Sequence, residues 1–569
     1  MSFAPCGFAI CTAMEENDIG VTLPEEKLVT LGVADPQGSL LDDMSAFCDK
    51  TLAPDAIYAF LHRERERLFP DSAFADLFAD EGRRSVPPSV VATAMVLQRL
   101  EGLSDREAAE RYAFDARWRY AAGVGSYDTG GWTIFSHTVF VDLRERLRGS
   151  KAPDRVFEIA LEAAKAAGLV GKKRVLDSTP LYDAVATMDT ITLIRSAIRN
   201  LLRVAGDDLR NELRALITSG DEYASAAKPQ IDWDDEQAQA ELVDSRAKDG
   251  YACLVLLEGR ELEPTLQEAV TLLATVLGQD LETADDGTFA IARRVAPDRV
   301  ISTVDPETRH GHKTSAHGFD GFKGHAAIDP DSEIITATVV SRGNAGDASV
   351  AGELIADLFE GDEPTSNKPT KVSGDDGETA EQRAVYGDAA YGTGELQALL
   401  FDAGIDSTLK TQPPVGRNGL FAKDRFRIDL DTDTVTCPAG ITVRIGRLKD
   451  NSGVAKFAEH CATCPLAERC TTSALGRKVR VGVHEAALAR ACAEQADPKW
   501  RADYRETRPK VERKLAHLMR RRHGGRRARV RGELRVGADF SLLAGAANLA
   551  RLATLGARSI AGGGWVVAG

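Results

Sequence analysis

The sequence lacks long apolar runs, a phosphate-binding loop and a dense set of cysteines. No apolar stretch approaches the ~18–20 residues of a membrane-spanning helix, so we expect no membrane partner. The motif G-x-x-x-x-G-K-[ST] is absent, and we therefore expect no nucleotide cofactor. Nine cysteines in 569 residues are too few for a disulfide scaffold and indicate a reducing, cytoplasmic compartment.

The chain is acidic overall but strongly basic in one place. Its formal net charge is −15, which by itself argues against a nucleic-acid partner. Residues 508–535, however, contain twelve Lys or Arg and only two Glu, so the rest of the chain is close to −25. Because local potential decides where a polyanion binds, this tract predicts contact with DNA phosphates.

Periodicity and composition divide the chain into segments around a mixed α/β core. Two helices joined through Gly102-Leu103-Ser104 have the outline of a helix-turn-helix, although any αα-hairpin gives the same pattern. The predicted segments are an irregular N-terminal tail (1–51), a helical DNA-binding domain (52–150), a core in two parts (151–183 and 301–411), a helical insertion (184–300), a β-rich insertion with cysteines (412–483), and a C-terminal segment (484–569) that completes the core.

Three acidic residues stand in settings that suit a pair of divalent cations. Asp177 lies in KKRVLDSTPLYD and Asp388 in RAVYGDAAYG, each after a short apolar run typical of a buried strand. Glu512 lies on a predicted helix in the most basic stretch of the chain. Singly, each acid is more often a turn, a cap or a solvated residue. Together, rigid carboxylates beside a basic surface predict two Mg²⁺ or Mn²⁺ ions acting on a phosphodiester.

These stretches resemble the DDE transposases of bacterial insertion sequences, in the group with a Tyr-Arg-Glu-Lys signature around the last acid. The resembling stretches are VLDST, STVDPETRHGHKTSAHGFDGFKGHAAID, VYGDAAYGTGE, YRETRPKVERKLAHLMRRRHGGRRARVRG and the N-terminal run VPPSVVATAMVLQRLEGLSDREAAERYAFDARWRYAAGV. The resemblance implies a ribonuclease-H-like core with an insertion before the last acidic helix. It also implies that Asp177, Asp388 and Glu512 are the catalytic, metal-binding acids, with Glu506 as a rival for the third.

The signature departs from the family pattern in two places. Tyr504 precedes Arg508 by four positions instead of three, and Met519 stands where Lys is usual, with Arg520 following. Arg508 lies four residues before Glu512, so both can face the same side of a helix. The residues predicted to hold DNA are Arg508, Lys514, Arg520, Arg521, Arg522, Arg526 and Arg527.

The resemblance implies an enzyme of DNA transposition and recombination. Water cleaves at the ends of a mobile element, and the freed 3′-hydroxyl then attacks target DNA. The implied partners are double-stranded DNA, as terminal inverted repeats and target, and a second copy of the chain, in a bacterial nucleoid. Two other interpretations stay open: a nuclease of the same fold without strand transfer, and a non-catalytic zinc- and DNA-binding relic.

Four cysteines are clustered within the β-rich insertion. Cys461, Cys464 and Cys470 form CxxCxxxxxC, and Cys437 lies upstream in TCPAG. Four soft ligands on turns suit a tetrahedral structural Zn²⁺ ion, with His460 as an alternative ligand. The competing interpretation is a set of unrelated buried cysteines.

Overall fold

The computed structural model describes residues 43–125, 134–185, 187–225, 227, 229, 231–314, 317–359 and 382–567. The predicted irregular tail falls mostly outside these ranges. Its last residues, Asp43–Thr51, form helix α1, which corrects that prediction. The helix is held in place because Cys48 is buried against Tyr120 of the following helical region.

Helices continue up to residue 166, and two of them form the predicted hairpin. Gly102, at a φ of 67°, ends the first of the pair, and Ser104 with Glu107 forms a capping box at the start of the second. Trp118 and Tyr120 are both buried, so they belong to the core. The helices are α2 (Ile57–Leu68), α3 (Pro88–Glu101), α4 (Asp105–Phe114), α5 (Ala116–Ala121), α6 (Thr138–Arg148) and α7 (Arg155–Ala166).

A long strand, β1 (Lys173–Tyr182), leads into an inserted helical bundle. Apolar residues at helical spacing, including Leu193, Ala197 and Leu201, give this bundle a hydrophobic core of its own. The bundle and its hairpin comprise α8 (Thr190–Val204), α9 (Asp207–Leu216), α10 (Glu236–Leu257), α11 (Pro264–Asp280), β2 (Leu281–Thr283) and β3 (Phe289–Ile291).

The chain then returns to complete a mixed sheet around β1. The added elements are β4 (Arg309–Thr314), β5 (His317–Ile328), β6 (Ile335–Arg342), α12 (Ala351–Leu354), β7 (Ala384–Gly387), α13 (Gly394–Asp402) and β8 (Asp406–Leu409). Strand β5 is antiparallel to β1, β4 and β6, whereas β7 is parallel to both β1 and β8. The prediction of a mixed α/β fold is confirmed, and β1 lies inside the sheet with β5 on one side and β7 on the other.

A small antiparallel sheet and a set of helices follow. The sheet region contains β9 (Arg427–Asp429), β10 (Thr434–Thr436), β11 (Thr442–Arg447), β12 (Gly453–Lys456), α14 (Ala467–Cys470) and β13 (Lys478–Val481). The last elements are α15 (Glu485–Glu494), α16 (Pro498–Thr507), α17 (Pro509–Leu518), α18 (Glu533–Thr554), β14 (Arg558–Ser559) and β15 (Trp565–Val566). Within the described ranges, no helix is long and apolar enough to cross a lipid bilayer.

Helix α18 joins the N-terminal helices to the sheet. Leu549 packs in the core of the N-terminal helices, while Phe540 and Leu543 pack in the core under β1 and β5. The buried side chain of Asn548 accepts the N–H of Ile335 and donates to its carbonyl, both at 2.8 Å. These two bonds fix α18 against the first residue of β6.

Candidate active site

The sheet register places Asp177 and Asp388 beside each other. Strands β1 and β7 run parallel with Val175 paired to Tyr386, and each acid lies two residues further along its strand direction. Val175 is fully buried, and its strand is covered on both faces, which fixes the backbone under the acids. Asp388 lies on the turn after β7, where its Oδ1 accepts the N–H of Ala390 at 2.9 Å.

Glu512 reaches the same place from the C-terminal helices. Pro509 is the first residue of α17 and separates it from α16. Arg508 lies at this junction and directly precedes the first turn of α17. Val511 and Leu515 are buried in the core under the sheet, which holds α17 against β1 and leaves Glu512 at the rim.

The guanidinium of Arg508 contacts all three predicted acids. Its Nη2 lies 2.9 Å from Oδ1 of Asp177 and 3.9 Å from Oδ2 of Asp388, and its Nη1 lies 3.5 Å from Oε1 of Glu512. The Arg508 side chain is only 6% exposed, whereas that of Glu512 is 61% exposed. Among the described residues, Arg508 pairs with Glu512 and not with Glu506, which is exposed. Three carboxylates thus share one positive charge.

The electrostatics of this cluster are unbalanced. Burial raises the pKa of the Asp177 carboxyl, and the adjacent Arg508 offsets this only in part. Burial also acts to lower the pKa of Arg508, but the carboxylates of Asp177, Asp388 and Glu512 outweigh it and raise that pKa. Nε and Nη1 of Arg508 are buried without a hydrogen-bond partner. The cluster therefore has surplus negative charge and unused buried donors.

The three acidic side chains offer the kind of ligand that a hard divalent cation prefers. Asp177, Asp388 and Glu512 offer carboxylate oxygens, the ligands that Mg²⁺ and Mn²⁺ prefer. In the described part of the chain, however, no group of three or more His, Cys, Asp or Glu side chains is arranged to hold a metal ion. The guanidinium of Arg508 lies among the acids instead, so these residues can hold a cation only if Arg508 moves.

A basic groove opens at the end of β1, and we call it the strand-end groove. The N–H of Tyr182 donates to the carbonyl of Arg526, and the N–H of Ala528 donates to the carbonyl of Tyr182, both at 2.9 Å. These bonds attach the basic tract to the strand that carries Asp177. The groove is lined by Tyr182, Asp183, Ala184, Met519, Arg520, Arg521, Gly524, Arg526 and Arg527.

The other residues predicted to hold DNA lie outside the strand-end groove. Arg522 is exposed on the same turn, and Arg508 lies in the acid cluster. Lys514 is buried, and burial lowers its pKa to about 8. Lys514 lies on the face of α17 that packs against the core. It therefore makes no direct DNA contact in this conformation, contrary to the prediction.

Two segments of the chain match family models of transposases. Residues 436–553 match the Transposase DDE domain, and residues 46–146 match the Transposase domain (DUF772). The resemblance to DDE transposases is confirmed. The first match contains Arg508 and Glu512, whereas Asp177 and Asp388 lie outside both matches.

The matches support a transposase function, and transposases act on DNA. Neither a curated protein nor a solved structure matches the chain significantly. The grouping of the three acids therefore depends on the geometry described above.

The four predicted zinc ligands line one small cavity, together with His460. All four cysteines are free thiols. Burial raises the pKa of the Cys470 thiol, and the other three cysteines contribute in the same direction while Arg477 opposes them. The backbone N–H of Arg477 donates to Sγ of Cys461 at 3.4 Å. The fold brings these thiols together, although the described residues do not present them in metal-binding geometry.

The hydrogen bonds that hold the residues around the acids cannot be predicted from the sequence. Asp347 accepts a hydrogen bond from Oγ of Ser178 at 2.5 Å and another from Nζ of Lys323 at 2.8 Å. Tyr391, three residues after Asp388, hydrogen-bonds to the buried ring of His325 at 3.0 Å. The network therefore anchors residues adjacent to both acids. The sequence shows only that these residues lie in predicted strands and turns. Which of them form hydrogen bonds with each other depends on strand register.

Proposed function

We propose that this transposase cuts DNA at the ends of its mobile element and joins the freed 3′ ends to target DNA, with Asp177, Asp388 and Glu512 as catalytic residues. The convergence of these acids on Arg508, from three distant parts of the sequence, carries the proposal. The sheet order β4-β5-β1-β7-β8, in which β6 also pairs with β5, supports it as well, because a ribonuclease-H-like core joins antiparallel strands to two parallel ones.

Each residue of the cluster has a distinct role in this proposal. Asp177, within β1, and Asp388, on the turn after β7, would hold two divalent cations, and Glu512 would close the site from α17. Such ions, when bound, supply charge that activates the attacking water and stabilises the leaving oxygen. Arg508 gives up its carboxylate partners and turns its unused donors to a phosphate oxygen, since a guanidinium is suited to bind phosphate.

The remaining surfaces position the substrate. The arginines of the strand-end groove hold the DNA backbone beside Asp177, which is a sequence-independent contact. Recognition of the terminal repeats belongs to the N-terminal helices, and the joining of two ends calls for a dimer on DNA. The cysteine cluster holds a structural Zn²⁺ ion that stabilises the small antiparallel sheet.

One matched pair of variants tests the catalytic assignment. Glu512→Gln and Glu506→Gln make the same isosteric change six residues apart, but only Glu512 contacts Arg508. With Mg²⁺ and DNA carrying the terminal repeats, Glu512→Gln should lose cleavage by a factor of at least about 10³ while binding the DNA normally. Glu506→Gln should cut like the unmodified protein. Loss of cleavage in Glu506→Gln alone contradicts the assignment.

The products of the same reaction separate the three possible activities. Joined products, in which element ends appear in target DNA, support a transposase. Cut ends that never join indicate a nuclease, and bound but intact DNA indicates a relic. Asp388→Asn is a second check, because it should bind element ends and leave them uncut.

A further inference from the structure

The inserted helical bundle carries a second basic groove, which we call the insertion groove. It lies where α8 and α9 meet the chain segment that returns to the sheet. Its lining contains no acidic side chain, although residues 184–300 contain 22 Asp or Glu and only 12 Lys or Arg. The groove is lined by Ser196, Arg199, Asn200, Leu202, Arg203, Arg210, Arg214, Tyr223, Ala224, Thr303 and Val304.

The arginines form two pairs at helical spacing. Arg199 and Arg203 lie one turn apart on α8, and Arg210 and Arg214 lie one turn apart on α9. The opposite face of α8 is buried in the core of the bundle, so this face is directed outward. Four residues of helix rise about 6 Å, so Arg199 and Arg203 can contact nearby phosphates of one DNA strand. The guanidinium of Arg210 is held by Asp207 and by the carbonyls of Leu202 and Ala205, which leaves Arg214, among the described residues, as the free cation of α9.

Three of these arginines have no carboxylate to neutralise them among the described residues. Arg199 donates to Oγ of Ser196 and to the carbonyl of Ser225 at 3.4 Å each, and Arg203 donates to Oδ1 of Asn200 at 2.7 Å. Arg214 is exposed. Other arginines of the bundle are different, since Arg195 lies 2.6 Å from the buried carboxylate of Asp221 and serves the fold.

We propose that the insertion groove binds the phosphate backbone of duplex DNA beyond the cleavage site. The bundle begins directly after β1, which carries Asp177 and whose last residue, Tyr182, lines the strand-end groove. Guanidinium, hydroxyl and amide donors in one acid-free groove are complementary to phosphate oxygens. The proposal rests on the proposed function, because it takes DNA as the partner.

The test measures how DNA binding depends on salt. A labelled duplex of unrelated sequence is titrated at several salt concentrations with the full-length protein, with the triple variant Arg199→Gln, Arg203→Gln, Arg214→Gln, and with a control. The control removes the same charge from arginines of the bundle that lie outside the groove, and it carries the substitutions Arg260→Gln, Arg293→Gln and Arg294→Gln. Each phosphate contact contributes about 0.9 to the slope of log K against log salt concentration.

We expect the slope of the groove variant to fall by about 2 to 3 and its affinity at low salt to drop at least about tenfold. The control should keep the slope of the unmodified protein. The corresponding Arg→Lys triple variant should retain most of the slope, because a point charge still displaces counterions. Equal slopes for the groove variant and the control overturn the proposal, as does a Lys variant that binds as weakly as the Gln variant.

Single variants guard against loss of folding in the triple variant. Arg203 and Arg214 are both exposed, and replacing either with Gln should lower the slope by about 0.9 without changing the melting temperature. Unchanged slopes for both reject the groove. Cleavage of element ends is measured on the same preparations, so that a protein with the expected slopes but no cleavage contradicts only the proposed function.

Discussion

Nη2 of Arg508 lies 2.9 Å from Oδ1 of Asp177, so the buried acid of the central strand is paired with a cation that the protein itself supplies. The same guanidinium extends to Asp388 and Glu512. In this state the guanidinium offsets part of the mutual repulsion among the three carboxylates. Arg508 thus stabilises the apo site and competes with any other cation for the same oxygens.

Replacing Arg508 with Gln should tighten the binding of Mn²⁺ in the absence of DNA. A unit charge at about 4 Å contributes roughly 4 kcal/mol at an effective dielectric constant of 20, so its removal should lower the Kd at least about tenfold. Calorimetric titration with Mn²⁺ measures the change. Arg513→Gln on the same helix is the control, because Arg513 is exposed and pairs with Glu333. An unchanged Kd in Arg508→Gln would contradict the proposed competition.

His325 should make the protein less stable in mild acid. Burial lowers the pKa of His325 to about 4, below its ordinary value of 6.5. At intermediate pH the unfolded chain binds a proton at His325 that the folded chain does not bind. The contribution of His325 to folding stability is therefore present above pH 6.5 and is lost as the pH falls toward 4. Between pH 7 and pH 5 this residue should lower the free energy of unfolding by about 2 kcal/mol.

Urea unfolding of the unmodified protein and of His325→Gln at both pH values checks this expectation. The variant should show a smaller loss between pH 7 and pH 5, since its side chain does not titrate. Other histidines contribute equally to both proteins and cancel in the difference. Identical pH dependence in the two proteins would show that His325 is not the responsible group.

The cysteine cluster should contain zinc in the purified protein. We expect close to one zinc ion per chain by elemental analysis, and Cys461→Ser should lose most of it because one of four thiolates is removed. A strong chelator should lower the melting temperature of the unmodified protein. Cys253→Ser is the control, since Cys253 is buried in the helical bundle far along the chain from the cluster. Zinc-free protein with chelator-independent melting contradicts the assignment.

Asn548 should be a major stabilising residue although it lies outside the site. Asn548→Ala leaves the N–H and carbonyl of Ile335 buried without partners, which should lower the free energy of unfolding by about 2–4 kcal/mol. Thr554→Ala on the same helix removes only an exposed bond to the carbonyl of Ala550 and should cost less than about 0.5 kcal/mol. Denaturant unfolding compares the two, and similar losses would contradict the role of Asn548.

The sequence alone determined the local features of this protein. The helical hairpin around Gly102, the apolar run that precedes Asp177 and the basic tract all follow from neighbouring residues, because periodicity and turn residues act over a few positions. The resemblance to transposases also came from contiguous motifs, and the two family matches confirm it.

Only the tertiary structure decided which distant groups meet. The parallel register of β1 with β7 sets Asp177 beside Asp388, and the packing of α17 against β1 brings Arg508 to the acids. Burial of Lys514 and exposure of the arginines in the insertion groove likewise depend on how whole helices pack. Such contacts join residues hundreds of positions apart, and their energies come from burial and register, which no local pattern specifies.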